Sequence, residues 1–265
     1  MYNSAYRQDI QSTMSNVTLE HARKLVNDIR STFLSGPPPP QVDPNLLFDV
    51  NFDSSLDVDY TIDGNPLAFE GVSVSTPDDG FVSITGPNYL KLTTALPEYM
   101  KNTGDQSWVA NWRSESTGGN RFVIQTSEPN QSLELSVNQR TGFNFTLNST
   151  NLLITLYKGY NSTLVTLVGS IGQFDMSVNI SSIVVTYKRE GHILKLYFNG
   201  ALLAESSAPA GNEANVIDWS TVNNIYANRF YVYSPSAPTH YDKISVYDKV
   251  LTLEEVEDIY NESQL

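Results

Sequence analysis

The sequence predicts an all-β protein, an antiparallel sandwich with helical patterns only near its two ends. From residue 45 onward, short runs rich in β-branched and aromatic residues alternate with turn-forming pairs. No helical periodicity interrupts these runs before the C-terminus. The chain of 265 residues contains 15 Tyr and 11 Phe but only 17% charged residues, a balance that favours broad sheets over long solvated helices.

The N-terminal region predicts an anchoring or oligomerisation helix. Residues 1–14 show no pattern and are expected to be a tail that orders only on contact. Within residues 15–34, apolar side chains recur at spacings of three and four and predict one apolar stripe. The stripe consists of Leu19, Ala22, Leu25, Val26, Ile29 and Phe33. Because a lone helix of this length is marginal in water, the stripe is expected to pack on the chain's own sandwich, on other copies or on a larger partner.

A proline-rich spacer separates this helix from the rest of the chain. Gly36 ends the helical pattern, and the four prolines of residues 37–40 impose an extended, semi-rigid segment. The predicted division is therefore a tail and helix over 1–35, a linker over 36–44 and a sandwich over 45–265. A stiff spacer favours an anchor held away from the sandwich over a helix that folds back onto it.

Thirteen candidate strands follow the linker. They are residues 46–51, 68–74, 81–84, 107–112, 121–125, 132–137, 143–147, 152–157, 182–187, 193–198, 201–206, 229–233 and 243–247. The pair Asn199-Gly200 is the strongest turn signal between them, because both residues tolerate the positive φ angles of a two-residue hairpin. The absence of interleaved helices predicts antiparallel pairing.

The C-terminal stretch predicts a closing strand followed by a short helix. Thr252 and Glu255 have the spacing of a capping box, in which each side chain bonds the other residue's backbone N–H. Leu253, Val256, Ile259 and Tyr260 then form one apolar face. This helix is expected to dock on the end of a sheet.

Three segments in order resemble the laminin-G-like jelly roll of the concanavalin A-like lectin/glucanase superfamily. Residues 67–71 and 88–92 look like the opening strand, glycine turn and returning strand of that family. Residues 183–204 look like its paired strands with a closing Asn-Gly hairpin, and residues 241–260 like its last strand, turn and terminal helix. The resemblance implies a concanavalin/laminin-G-like β-sandwich over about residues 65–262. The N-terminal segment with its spacer resembles the anchors of bacteriophage fibre and capsid-decoration proteins.

Composition and motifs exclude several functions. A net charge of −13 and a pI near 4.5 argue against nucleic acid as a partner. The chain has no Cys and only His21, His192 and His240 as histidines, so thiol chemistry is absent and a triad or three-histidine site would need improbable convergence. The E-x-D-x-x-E pattern of related glucanases does not occur. We therefore expect no enzyme and assign no catalytic residue.

The sequence shows no secretory start and no run of 18 apolar residues. We therefore expect neither export by a signal peptide nor a membrane span.

Candidate binding residues remain in the loops. Trp219 lies in a polar loop and is expected to be exposed enough to stack on a sugar, and Tyr231 and Tyr233 form a same-face pair that suits either a ligand platform or a core edge. Trp108 and Trp112 are expected in the core. No cofactor is required, but the family resemblance implies calcium as a candidate ligand, for which the loop carboxylates are Asp78, Asp79, Asp218 and Asp242. The alternative for these four residues is turn formation or strand capping.

Three functional interpretations stay open. In the favoured one, residues 1–40 join a scaffold, capsid or tail protein, in many copies or as a homo-oligomer. The sandwich then faces a glycan or protein at the surface of a virion that assembles in the host cytoplasm. In the second, the chain is a free soluble lectin-like module. In the third, it is a glycan-active hydrolase.

Overall fold

The computed structural model describes the chain in segments. They comprise residues 21, 24, 42–53, 55–71, 80–84, 89–114, 120–126, 142–148, 151–159, 162–171, 180–219, 226–230 and 238–264. The chain divides into two units, Met1–Pro44 and Asn45–Leu265. In the first unit His21 and Lys24 are helical, whereas the six residues of the predicted stripe and residues 36–41 of the spacer lie outside the described residues. Among the described helices, none has the length and apolar character needed to cross a membrane.

The second unit consists almost entirely of strands. In chain order the described strands are β1 (Leu46–Asn51), β2 (Tyr60–Thr61), β3 (Phe69–Gly71), β4 (Val82–Ile84), β5 (Leu90–Leu92), β6 (Gln106–Ser114), β7 (Asn120–Gln125), β8 (Phe143–Asn148), β9 (Asn151–Gly159), β10 (Ser162–Ser170), β11 (Ser181–Lys188), β12 (Ile193–Phe198), β13 (Ala201–Ser206), β14 (Tyr226–Phe230) and β15 (Thr239–Tyr247). Short 3-10 turns cover Glu98–Met100 and Glu190–His192, and one α-helix covers Leu253–Glu262.

These strands form two antiparallel sheets that pack face to face as a jelly-roll sandwich. The first sheet has the order β13-β12-β11-β6-β15-β1-β2, with β4 pairing beside β1 on the same edge of β15. The second has the order β10-β9-β8-β7-β14-β5-β3. Since every described pair is antiparallel, the predicted all-β antiparallel fold is confirmed.

The core lies between the sheets and consists mostly of Leu, Ile and Val side chains, with several large aromatic rings among them. Trp108 and Trp112 on β6 are 2% and 1% exposed, which confirms their predicted burial. The indole of Trp108 stacks on Phe143 of the opposite sheet at 4.9 Å between ring centroids, and its N–H donates to Gln106 Oε1 at 2.7 Å. Alternation along β6 directs both indoles inward and leaves Asn111 and Arg113 on the outer face of the first sheet.

A second apolar cluster covers part of that outer face. Val256 and Ile259 of the C-terminal helix pack there with Val109, Val184, Tyr197, Tyr247 and Leu251. For this reason β11 is buried on both faces, with Ile183 and Val185 in the main core and Val184 under the helix. The predicted docking of the helix on a sheet is therefore confirmed.

The strand β10 was missing from the sequence prediction. Its burial alternates along most of its length, but Ser, Thr and Gly weaken its strand signal. Gly169 is required by packing, because a Cβ there would lie 2.6 Å from Leu203 Cδ2 and 2.7 Å from Leu196 Cδ2 of the other sheet. The predicted strand at 132–137 lies outside the described residues.

Candidate functional site

The C-terminal helix and the β12–β13 hairpin border an open groove of about 570 Å³. The residues that line it are Asn199, Gly200, Ala201, Leu202, Leu253, Glu257, Tyr260 and Asn261. One wall is therefore the tip of a hairpin at the edge of the first sheet, and the other is one side of the helix.

The hairpin wall forms as the sequence predicts. Asn199 and Gly200 have φ angles of 51° and 78°, the two positive values of a type I′ turn. Asn199 is also tied to β11, since its N–H donates to the Ser182 carbonyl at 2.8 Å and its Oδ1 accepts from the Ser182 N–H at 3.0 Å. These bonds fix the position of the turn and leave the side-chain amide nitrogen Nδ2 of Asn199 available to a ligand.

The helix wall is positioned by the predicted capping box. Glu255 N–H donates to Thr252 Oγ1 at 3.3 Å, and Thr252 N–H donates to Glu255 Oε2 at 2.7 Å. Burial by itself would raise the pKa of Glu255, but hydrogen bonds from Lys249 and from Thr252 outweigh it and lower the pKa below its ordinary value. The helix start is thus stabilised by an ionised carboxylate.

Not all of the predicted apolar helix face is docked. Val256 and Ile259 are 0% and 8% exposed, whereas Leu253 is 52% exposed. Leu253 and the partly buried Tyr260 flank the docked residues and line the groove instead. Leu253 stays exposed because a helix turns 100° per residue and the sheet covers only the centre of the predicted apolar face.

The groove combines an aromatic ring with unpaired polar groups. The Tyr260 ring lies against the turn, since a Cβ on Gly200 would lie 3.2 Å from Tyr260 Cδ1. In the described part of the chain, the side-chain amide nitrogen Nδ2 of Asn199 and the side chains of Glu257 and Asn261 have no hydrogen-bond partner. An aromatic face beside amide and carboxylate groups is the combination that stacks on a sugar ring and bonds its hydroxyls.

Trp219 does not have the exposure that the sequence predicted. It is 7% exposed, belongs to the main core and donates from its indole N–H to the Asn102 carbonyl at 2.9 Å. The loop that contains Trp219 is tied to the sheet at Asn212, whose carbonyl accepts a hydrogen bond from His192 Nε2 at 2.9 Å. The ring therefore offers no face for a sugar. The prediction of exposure was wrong because it rested on the polar residues next to Trp219 in the sequence.

Tyr231 and Tyr233 lie outside the described residues, so their assignment stays a prediction.

Asp242 lies on the outer face of the first sheet, at a bulge in β15. Burial raises the pKa of its carboxyl, a hydrogen bond from Asn111 Nδ2 at 3.4 Å lowers it, and the charge of Asp53 raises it. Asn111 is 2% exposed and its Oδ1 is buried without a partner. Two carboxylates and an orphaned amide oxygen are the oxygen donors that calcium prefers, although calcium takes six to eight such ligands.

The other proposed calcium ligands do not join Asp242. The Asp218 N–H donates to the Tyr157 carbonyl at 2.7 Å, which places Asp218 beside the second sheet. Asp78 and Asp79 lie outside the described residues, although Gly80, which follows them, lies beside Asp53. Within the described ranges no group of three or more His, Cys, Asp or Glu residues is arranged to hold a metal ion. Calcium binding stays a prediction, now centred on Asp242.

The sequence prediction missed the groove residues because it explained them by structure alone. In the sequence, Tyr260 fits an apolar helix face and Asn199 fits a hairpin turn. The available signal was the width of the helix's apolar face, since four apolar positions exceed what one sheet surface covers.

Comparison with known proteins finds likeness at the level of fold. No family model and no curated protein matches the chain. Among solved structures, the binding domain of botulinum neurotoxin serotype D matches with a TM-score of 0.63 at 12% identity, over 84% of this chain and 53% of that one. The binding domain of botulinum neurotoxin DC in complex with SialylT matches with a TM-score of 0.61 at 15% identity, over 83% and 51%.

A third match is a structure of botulinum neurotoxin type C, which depends upon interaction with two ganglioside molecules to enter cells. It has a TM-score of 0.62 at 14% identity and covers 86% of this chain and 54% of that one. The chain thus spans about half the length of the solved chains it matches. At these identities the likeness establishes the sandwich fold that this chain shares with half of each neurotoxin binding domain.

Proposed function

We propose that this chain is a non-enzymatic binding protein whose sandwich takes a carbohydrate in the groove between the β12–β13 hairpin and the C-terminal helix. The observation that carries the proposal is the Tyr260 ring in an open groove, flanked by polar groups of Asn199, Glu257 and Asn261 that have no partner among the described residues. The fold likeness to neurotoxin binding domains, including one described as a receptor binding domain, supports binding as the general role.

Binding is favoured over hydrolysis by the carboxylates of the groove. Most glycoside hydrolases use two carboxyl groups, one on each side of the scissile bond. Glu257 is the one carboxylate among the described residues that line this groove. A single exposed carboxylate suits hydrogen bonds to sugar hydroxyls and does not provide an acid with a matching base or nucleophile.

The second part of the proposal concerns the N-terminal segment and rests on the sequence. The apolar stripe over 15–34 and the proline run after Gly36 suit a plug held away from the sandwich by a stiff spacer. We propose that residues 1–40 mount the sandwich, in many copies, on a larger assembly such as a phage fibre or decorated capsid. Deleting residues 1–40 is expected to leave a folded sandwich that no longer joins the assembly, and retained assembly would contradict this part.

The groove is tested on a glycan array with the full chain and two variants. The wild type is expected to bind one class of glycan, and Tyr260→Ala to lower the affinity about five- to tenfold because the stacking face is lost. Tyr260→Phe is the matched control, since it keeps the ring and removes only the hydroxyl. An array on which the wild type binds nothing, or equal affinity of Tyr260→Ala and wild type, would overturn the proposal.

A further inference from the structure

Three polar residues stand side by side on the outer face of the first sheet. Ser83 on β4 pairs with His240 on β15, and His240 pairs with Arg113 on β6. Directly opposed residues of antiparallel strands lie on the same face. Their strand neighbours Val82 and Trp112 are buried in the core, so this row faces away from it.

The row holds the Arg113 side chain in a defined position. The Ser83 hydroxyl and His240 Nδ1 lie 2.6 Å apart, which fixes the imidazole. The imidazole meets the Phe81 ring edge-on at 5.0 Å between centroids and 81° between planes. The guanidinium carbon of Arg113 in turn lies 4.9 Å from the centre of the Phe81 ring. A cation held against an aromatic ring is pre-organised to receive a ligand.

Among the described residues, no anionic side chain forms an ion pair with Arg113. Its Nε is buried and has no hydrogen-bond partner in the part of the chain that the structure describes. The ion pairs formed between described residues use lysines, although the chain carries a net charge of −13. A buried N–H without an acceptor is unfavourable, and a guanidinium edge is shaped to donate two parallel bonds to an oxyanion. The guanidinium group of Arg113 is therefore suited to an acceptor with two oxygens.

We propose that Arg113 binds the oxyanion of an acidic saccharide, a carboxylate or a sulfate ester, through its guanidinium group. Phe81, held by His240, keeps the guanidinium plane in place. The saccharide part rests on the proposed carbohydrate-binding function, while the oxyanion part rests only on Arg113 and its neighbours. Asp242 lies two residues from His240 along β15, and its negative charge is offset by the positive charge of Lys243.

The test follows backbone amide resonances of residues 239–241 in the full-length protein by NMR, with the Arg113 Nε–H resonance as a direct probe. Glucuronate and glucose 6-sulfate are titrated separately, and glucose is the neutral control. At least one anionic sugar is expected to shift these resonances where glucose does not. A response to glucuronate alone assigns a carboxylate, and one to glucose 6-sulfate alone assigns a sulfate ester. Absence of a response to both anions, or an equal response to glucose, would overturn the proposal.

Substitutions separate a built site from general attraction. Arg113→Gln is expected to lower the affinity for the anionic sugar about tenfold or more. Arg113→Lys keeps the charge but lacks the guanidinium fork, so we expect nearly the same loss. Lys188→Gln removes one positive charge from an exposed side chain elsewhere on the sheet and is expected to change nothing. Wild-type affinity in Arg113→Lys would show attraction by charge alone and would refute the site.

A last variant distinguishes this site from the groove. Tyr260→Ala is expected to leave the titration at residues 239–241 unchanged, even where it removes glycan binding on the array. Loss of both responses in this variant would mean a single site at the groove and would refute the assignment to Arg113. If the wild type bound no glycan on the array but residues 239–241 still responded to an anionic sugar, only the proposed function of the groove would be refuted.

Discussion

Shortening Val256 to alanine is expected to destabilise the protein through the helix that forms one wall of the groove. The Val256 side chain is 0% exposed and packs on the outer face of the first sheet. Val256→Ala removes two buried methyl groups, at about 0.8 kcal/mol each, and leaves a small cavity, so the loss is about 2 kcal/mol. The higher helix propensity of alanine recovers a few tenths of a kcal/mol.

The assay is urea and thermal unfolding followed by circular dichroism. For a domain of this size, about 2 kcal/mol corresponds to a fall in Tm of about 4–8 °C. The matched control is Leu253→Ala on the same helix, where the side chain is 52% exposed and the expected change is within about 0.5 kcal/mol. Because Leu253 lines the groove, this control is expected to weaken glycan binding while stability is unchanged. Equal destabilisation by the two variants would refute the assignment of the docked face.

Three further predictions concern the turn, the cap and the candidate cation site. Gly200→Ala is expected to lower the stability by about 1–2 kcal/mol in urea unfolding and to weaken glycan binding, because φ is +78° and the new Cβ would lie 3.2 Å from Tyr260 Cδ1. Gly211→Ala, with φ of +89° and open space around it, is the control that should affect stability alone. Glu255 has a lowered pKa, so its stabilisation is present above its ordinary pKa and is lost as the pH falls through the folded-state value. Wild type is therefore expected to exceed Glu255→Gln in stability at pH 7, and a difference that persisted to pH 2 would contradict this. Calcium is expected to raise the Tm of the wild type and not of Asp242→Asn, whereas equal shifts would place the ion elsewhere.

Local sequence patterns predict much of the fold. The sequence alone predicted an all-β antiparallel sandwich, the Asn199-Gly200 hairpin, the Thr252–Glu255 capping box and the buried indoles of Trp108 and Trp112. Each of these depends on residues close together in the chain, such as two turn positions, a spacing of three, or alternation along one strand. Short-range geometry is therefore sufficient to predict them.

Only the tertiary structure decided which of the candidate side chains are buried and which line a groove. Trp219 is buried because its indole reaches a carbonyl 117 residues away, and Tyr260 lines a groove because the helix stands beside the turn of a distant hairpin. The row of Ser83, His240 and Arg113 likewise joins strands whose pairing spans 157 residues between Ser83 and His240. The exposure of a side chain and its neighbours in space depend on which surfaces are buried when the sheets pack. Side-chain periodicity within a single segment does not contain that information.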